Sequence, residues 1–361
     1  MTPFLTLFTA PKPFNDPFIS MIQHNALRSW QALGEEVAVV LIGDEEGIGE
    51  AATQYGFIHR PNVKTNQLGT PLISSIFEIG RQANRSPFLA YVNADIILFP
   101  EILSVTHQVA QQSERFLMIG QRWDLDVGEE LYFEEDWVQM LKATMRENGK
   151  LHPRAGSDYF IFPRACFEEI PDFTVGRAGW DNWMIFQARR QGWQTIDCSA
   201  DLAIIHQNHD YRHLPGGQRH YRLPETGENI RLAGGRRTIF TLDDASCRLV
   251  NGKLKGMPQT NTRKLREWQN RPLLRRGCYF CTQMRFVLLH PKKAYAEFWK
   301  NRAMQKTMRE AQNTTEKLVQ SRRKQFILTQ RGYHGAIRHQ PIKRKNSRLH
   351  PSQGYRGGVS L

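Results

Sequence analysis

The chain has 361 residues, 40% of them apolar, with a formal net charge of +14. This length holds one large domain with an appendage or two medium ones, and the apolar share supports a substantial core. No stretch nears the roughly 18 apolar residues that a membrane-spanning helix needs. The five cysteines are odd in number and unpatterned, which argues against a disulfide framework and for a reduced, cytoplasmic setting.

The charge is uneven. Residues 1–259 carry 25 Lys and Arg against 31 Asp and Glu, whereas residues 260–361 carry 24 against 4. An acidic body and a basic C-terminal segment imply two tasks.

In chain order, "MTPFLTLFTAPKPF" lacks a basic leader and a small-residue cleavage site, so it reads as a first strand rather than a signal peptide. Three runs, "FLTLFTA" (4–10), "VAVVLIG" (37–43) and "FLAYV" (88–92), are apolar without alternation, as in parallel strands covered on both faces. Between them lie helical patterns. Asp16-Pro17 opens one in which Ile19, Ile22, Ala26, Trp30 and Leu33 recur at steps of three and four before Gly34. Leu72, Ile76, Ile79 and Ala83 form another, broken at Ser86-Pro87. Strand–helix alternation predicts an α/β fold, a mixed and mainly parallel sheet flanked by helices. Further on, 116–123 and 158–164 read as strands, 181–192 as a helix and 202–211 as a strand leaving the core. Residues 260–318 read as basic helices, and 319–361, with no acidic residue, as a disordered tail.

Ligands of such sheets bind beyond the carboxyl ends of the strands. Those ends read "TAPKPF", "GDEEG" and "NAD"; neither a Gly-rich dinucleotide fingerprint nor a Walker A loop occurs. Asn93-x-Asp95 interrupts an apolar run, and an ionised carboxylate there needs compensation. At a strand tip it is placed to hold a divalent cation, since Mg²⁺ and Mn²⁺ take one or two protein carboxylates and complete their shell with phosphate oxygens. The plain alternative is a helix cap, but Pro100 better marks the next helix start.

These elements, with "GSDYFIFPR", "GWDNW", "IIHQNHDY" and "ETGENIRLAGG…FTLDDASCRLVNGKL", resemble in order and spacing the nucleotide-sugar glycosyltransferases of GT-A fold, nearest to family-2-type enzymes, over about residues 3–255. Asn93 departs from the usual first carboxylate of the D-x-D element. The resemblance implies a GT-A-type (nucleotide-diphospho-sugar transferase) domain over 1–258, followed by a basic helical extension (259–318) and the tail (319–361). It implies Mn²⁺ or Mg²⁺ held by Asp95 and His206, with His209 as the register alternative and Asp210 orienting either ring. It places the nucleotide against Thr9, Asp44, Asn66 and Asn93, and the acceptor against Asp158 and Trp180. The bland counterparts are a turn-forming Asp44, a loop amide at Asn66, a turn at Asp158 and a structural His206. Asp181 is the candidate general base, because a sugar hydroxyl attacks well only when a carboxylate accepts its proton; the same residue also suits a helix N-cap.

The expected function is transfer of a hexosyl or pentosyl group from a nucleotide-diphosphate donor to an acceptor hydroxyl, with inversion, in polysaccharide biosynthesis. The expected partners are the nucleotide-sugar and a glycan or lipid-linked acceptor, and the location is cytoplasmic. Two rivals stand beside it: a nucleotidyltransferase on a related sheet, although the loop after the first strand has only Lys12, and a non-catalytic RNA-associated protein. The basic segment reads as a solvated appendage, as a peripheral contact with an anionic membrane face, or, last because the acidic body has no recognition motif, as a nucleic-acid binder. Cys278-x-x-Cys281 reads as incidental packing rather than zinc or redox chemistry.

Overall fold

The computed structural model describes residues 2–209, 223–303, 305 and 306. Residues 1–304 form one compact unit; of the second, 305–361, only Gln305 and Lys306 are described, both helical and exposed. The expected tail at 319–361 lies outside the described residues, as does Asp210.

The chain runs β1 (Leu5–Thr9), α1 (Pro17–Gln31), β2 (Val37–Ile42), α2 (Ile48–Tyr55), β3 (Ile58–Arg60), α3 (Ile73–Gln82), β4 (Phe88–Val92) and β5 (Ile96–Leu98). It continues through α4 (Glu101–Ala110), β6 (Phe116–Ile119), β7 (Trp123–Leu125), α5 (Trp137–Asn148), β8 (Lys150–Leu151), β9 (Tyr159–Pro163) and α6 (Trp180–Arg190). Then come β10 (Gln194–Asp197), β11 (Ile204–Gln207), α7 (Pro224–Leu232), the hairpin β12 (Cys247–Val250) and β13 (Lys253–Gly256), α8 (Asn261–Arg276) and α9 (Tyr279–Leu289). Residues 291–303 are also helical.

The main sheet has the order β13-β12-β10-β6-β9-β4-β1-β2-β3. It is mainly parallel: β1 lies between β2 and β4 in parallel, β6 and β10 pair in parallel, and β9 is inserted antiparallel between β4 and β6. The strands are apolar on both faces because both are covered. Leu5 and Leu7 pack into one core with α1, α2 and α4, while Phe8 points into a second core with α3 and α6. The mixed α/β architecture is the one expected from the sequence.

The helix starts follow local chemistry. Asp16 caps α1, its carboxylate accepting from the backbone amides of Phe18 (3.0 Å) and Ile19 (2.9 Å), and Pro17 supplies a preset φ at the first position. Gly80 of α3 faces the sheet, and a Cβ there would stand 2.5 Å from the Phe8 ring. In an exposed helix, glycine to alanine gains up to about 1 kcal/mol. Here overpacking against a fully buried ring, about 1–3 kcal/mol, outweighs that gain. Gly80→Ala should therefore lower the denaturant midpoint without changing its slope; an unchanged or raised midpoint would show that Phe8 moves freely.

A second sheet, β5-β11-β7-β8, stands at the carboxyl edge of the first. Its register decides the site. His206 pairs antiparallel with Ile96 and parallel with Asp124, which brings the histidine beside the turn that carries Asp95.

Cys278 and Cys281, expected as incidental packing, are paired as a disulfide at the start of α9, with Cα atoms 5.5 Å apart. Cys166, Cys198 and Cys247 are free and buried. Among the described residues, no helix is long and apolar enough to cross a membrane.

Candidate active site

Asp95 sits in the turn between β4 and β5, held from below. The indole of Trp30 donates to the Ile96 carbonyl (3.0 Å), and the buried Gln207 side chain donates to the carbonyls of Ile22 (2.7 Å) and Asp95 (3.2 Å). Asn25 of α1 donates in turn to Gln207 (3.0 Å). The turn is thus tied to α1, and the Asp95 side chain emerges only 14% exposed.

Its Oδ2 lies 3.1 Å from His209 Nε2 and 3.8 Å from His206 Nε2. Its Oδ1 is buried without a hydrogen-bond partner. The three side chains can each present one ligand atom with all of these atoms within 4.8 Å of one another. Burial opposes the charge on Asp95, yet His206, His209 and Lys12 overcome it and hold the carboxyl far below its usual range. Burial likewise opposes the charged form of His206, while Asp124 and then Asp95 raise its pKa. Asp95 and Asp124 thus supply the negative charge around the two imidazoles. An orphan carboxylate oxygen beside two imidazoles fits a divalent ion, and two nitrogen ligands suit Mn²⁺ better than Mg²⁺.

A supporting layer surrounds this group. Asp124 stands 3.5 Å from His206 Nδ1, accepts from Arg122 Nε at 2.8 Å and bonds His152 Nδ1 at 2.6 Å. Such a carboxylate orients a ligating ring and raises its basicity. Arg122 also donates to Asp158 Oδ1 (2.8 Å), which accepts from the Asn93 amide as well (2.9 Å). That contact exists because β9 runs antiparallel to β4, so Tyr159 pairs with Val92 and Asp158 meets Asn93 at the strand tips.

Asp95, His206, His209, Asn93, Asp158, Trp180 and Asp181 all line one cleft of about 450 Å³, together with Lys12, Arg122 and Arg177. Tyr91 lies on its floor; burial raises its pKa, and the carboxylates of Asp95, Asp158 and Asp181 raise it further. Asp181 is the second residue of α6, whose N-cap is Gly179, so it does not occupy the cap position itself. Its carboxylate turns back to accept from the Gly179 amide (3.2 Å). Burial pushes its pKa up to about 6, partly offset by amides of the helix start. Trp180 packs edge-on against Tyr91 with ring centroids 5.0 Å apart, leaving a small part of the indole at the cleft.

The remaining expected donor residues sit differently. Thr9 ends β1, is wholly buried, and its hydroxyl has no hydrogen-bond partner; its neighbour Ala10 faces the cleft. Asp44 follows β2 and is exposed, while its neighbour Glu45 lines the cleft. Asn66 is engaged in its own loop: its oxygen accepts from the amides of Leu68 and Thr70, and its nitrogen donates to Glu225 (2.6 Å). Glu225 also pairs with Arg177 (2.7 Å) at the cleft wall.

Lys12, Arg122 and Asp124 were missed as site residues. Lys12 Nζ stands 3.4 Å from His209 Nε2; burial lowers its pKa, and Asp95 partly restores it. Its position after β1, at the ligand edge, was the available signal. Asp124 had none, because "QRWDLDVG" looks like an ordinary strand exit.

Neither a protein-family model nor a curated protein matches the sequence. Among solved structures, the chain is similar to TarS from S. aureus in complex with UDP-GlcNAc (12% identity, 77% of this chain and 75% of that one, TM-score 0.44). It is also similar to glucosyl-3-phosphoglycerate synthase from Mycobacterium tuberculosis with Mg²⁺ and uridine-diphosphate (13%, 72% and 88%, TM-score 0.41). A third is the mannosyltransferase PcManGT from Pyrobaculum calidifontis with GDP-Man and Mn²⁺ (12%, 64% and 63%, TM-score 0.37), of whose length this chain spans less than two thirds. Likeness this distant leaves function to the chain's own residues.

Proposed function

We propose that the protein is a metal-dependent glycosyltransferase moving a sugar from a nucleotide-diphosphate donor to an acceptor hydroxyl with inversion. One observation carries this reading: a cation-favouring group of Asp95, His206 and His209 shares a cleft, at the carboxyl edge of a mainly parallel sheet, with a carboxylate whose pKa is raised to about 6. When bound there, Mn²⁺ or Mg²⁺ supplies positive charge against the negative charge developing on the leaving diphosphate. Lys12 and Arg122 add fixed cations beside that position.

Asp181 takes the proton of the attacking hydroxyl. At pH 7 a group of pKa about 6 is roughly nine-tenths ionised, so it is ready to accept a proton while remaining a strong enough base. Asp158, held by Arg122 and Asn93, offers its remaining lone pairs to hydroxyls of the sugar or acceptor. The amide of Asn93 and the strand-end segments at Thr9, Asp44 and Asn66 form the donor side. The catalytic domain is assigned to residues 1–258, and the acceptor to a glycan or lipid-linked hydroxyl, as in polysaccharide biosynthesis.

A thermal-shift screen of nucleotide-sugars with and without Mn²⁺ tests donor and metal together. Stabilisation by one nucleotide-sugar that requires Mn²⁺ supports the reading; no response to any member of the panel counts against it. Lys12 at the cleft is the feature that favours the nucleotidyltransferase alternative, and the product separates the two, nucleoside diphosphate for the transferase of sugars and pyrophosphate for the other.

The ligand set also makes a metal prediction. Mn²⁺ should support turnover at lower concentration than Mg²⁺, and His209→Asp should shift the preference toward Mg²⁺, because oxygen replaces nitrogen. Titration of both ions against wild type and variant reads this directly; an unchanged preference would place His209 outside the metal shell.

A further inference from the structure

We propose that the corner built by α8, α9 and the helix over 291–303 docks the protein on an anionic phospholipid bilayer, with a basic pocket there taking the phosphate of one headgroup. This does not rest on the glycosyltransferase reading. The pocket, about 250 Å³, lies among the turn Arg236–Thr238, α8, α9 and the helix that follows, and its walls include Arg236, Arg237, Arg266, His290 and Lys293 but no carboxylate. Two of these cations are already matched: Arg266 holds Asp244 through two bonds of 2.6 Å, and Arg237 pairs with Glu297.

Arg237 is nevertheless more than nine-tenths buried, and its Nε has no hydrogen-bond partner. Its guanidinium carbon stands 3.5 Å from the Phe286 ring centroid, which fixes it at the pocket wall. Arg236 donates through Nε to the neutral side chain of Asn301, and neither it nor Lys293 has an ion-pair partner among the described residues. A guanidinium and an ammonium converging on one cavity match a phosphodiester.

The neighbouring surface is apolar where water should disfavour it. On α9, Phe280, Met284, Val287 and Leu288 are 39–75% exposed and follow the i, i+4, i+7, i+8 spacing of one helical face. The inner face of the same helix carries Phe286 to the pocket, and His290, which caps its C-terminus, lines it too. Beyond it, Tyr295, Phe298 and Trp299 are also exposed, at i, i+3 and i+4. Across 260–303 there are eleven Lys and Arg against two Glu. Basic residues next to exposed aromatic and aliphatic side chains form the pattern of an interfacial segment. A nucleic acid would use the cations and leave Met284, Val287 and Leu288 in water; a headgroup layer accommodates both. The charge and the apolar face therefore favour the bilayer.

The test is co-sedimentation of the full chain with phosphatidylcholine vesicles, with and without phosphatidylglycerol. Binding is expected only to the anionic vesicles and should weaken with salt. Arg236→Gln combined with Lys293→Gln should weaken it about 30-fold, and Phe280→Ser with Leu288→Ser should weaken it independently, each variant keeping the wild-type circular dichroism spectrum and thermal midpoint. Should one pair unfold the protein, the other carries the test. Wild-type affinity in both folded variants, equal binding to neutral vesicles, loss of binding on deleting 319–361 alone, or binding to RNA but not to vesicles would each overturn the proposal.

Discussion

Asp95→Ala should abolish Mn²⁺-dependent turnover, with a loss on the order of 10³-fold or more, equivalent to about 4 kcal/mol of transition-state stabilisation. The reason is electrostatic. Asp95 is the carboxylate shared by His206 and His209, and Lys12 stands close to the latter. Without it, His209 and the Lys12 ammonium lose the carboxylate between them, and His206 keeps only Asp124 on its far side. Mn²⁺ binding, read by calorimetry, should fall together with turnover. Asp95→Asn keeps the shape and should lose nearly as much, which separates charge from packing. Turnover retained in either variant would remove Asp95 from the metal site.

Asp181→Asn should lower kcat by about 10²-fold or more while leaving donor affinity close to wild type. The wild-type rate should rise with pH through about 6 and then level, since only the ionised carboxylate accepts a proton. That limb should vanish in the variant. Stability should change in the opposite sense. The folded-state pKa, about 6, lies above the unfolded value of 3.8, so ionising Asp181 opposes folding, and stability is lost as pH rises from about 4 to about 6. The neutral amide of the variant escapes that cost. Asp181→Asn should therefore be more stable than wild type at pH 7 by up to about 3 kcal/mol, with the difference disappearing below about pH 4. Loss of donor affinity, or of stability, would reassign Asp181 to a structural role.

The two predictions differ in how far the sequence foretold them. Asp95 stood out because a carboxylate at the end of an apolar run is anomalous wherever the strand goes. Asp181 was visible only within the "GWDNW" motif of the resemblance, and its competing role as an N-cap fell away when Gly179 took that position. Asp44 and Asn66 came from the resemblance alone. The structure leaves the first exposed and engages the second in its own loop and with Glu225.

The amino-acid sequence by itself determined the layered α/β core. Runs such as "VAVVLI" are apolar on both faces, and the helices between them repeat every three to four residues, so burial can be satisfied only with helices on each side of a sheet. It also determined the start of α1, because Asp16 and Pro17 act on their immediate neighbours. The tertiary structure alone decided the composition of the site. Asp124 reaches His206 only because β7 and β11 pair in a second sheet, and Asp158 reaches Asn93 only because β9 runs against β4. Lys12 meets His209 across 197 residues of chain. Local patterns report what a segment does with its own neighbours, whereas strand register across such separations is set by the packing of the whole core.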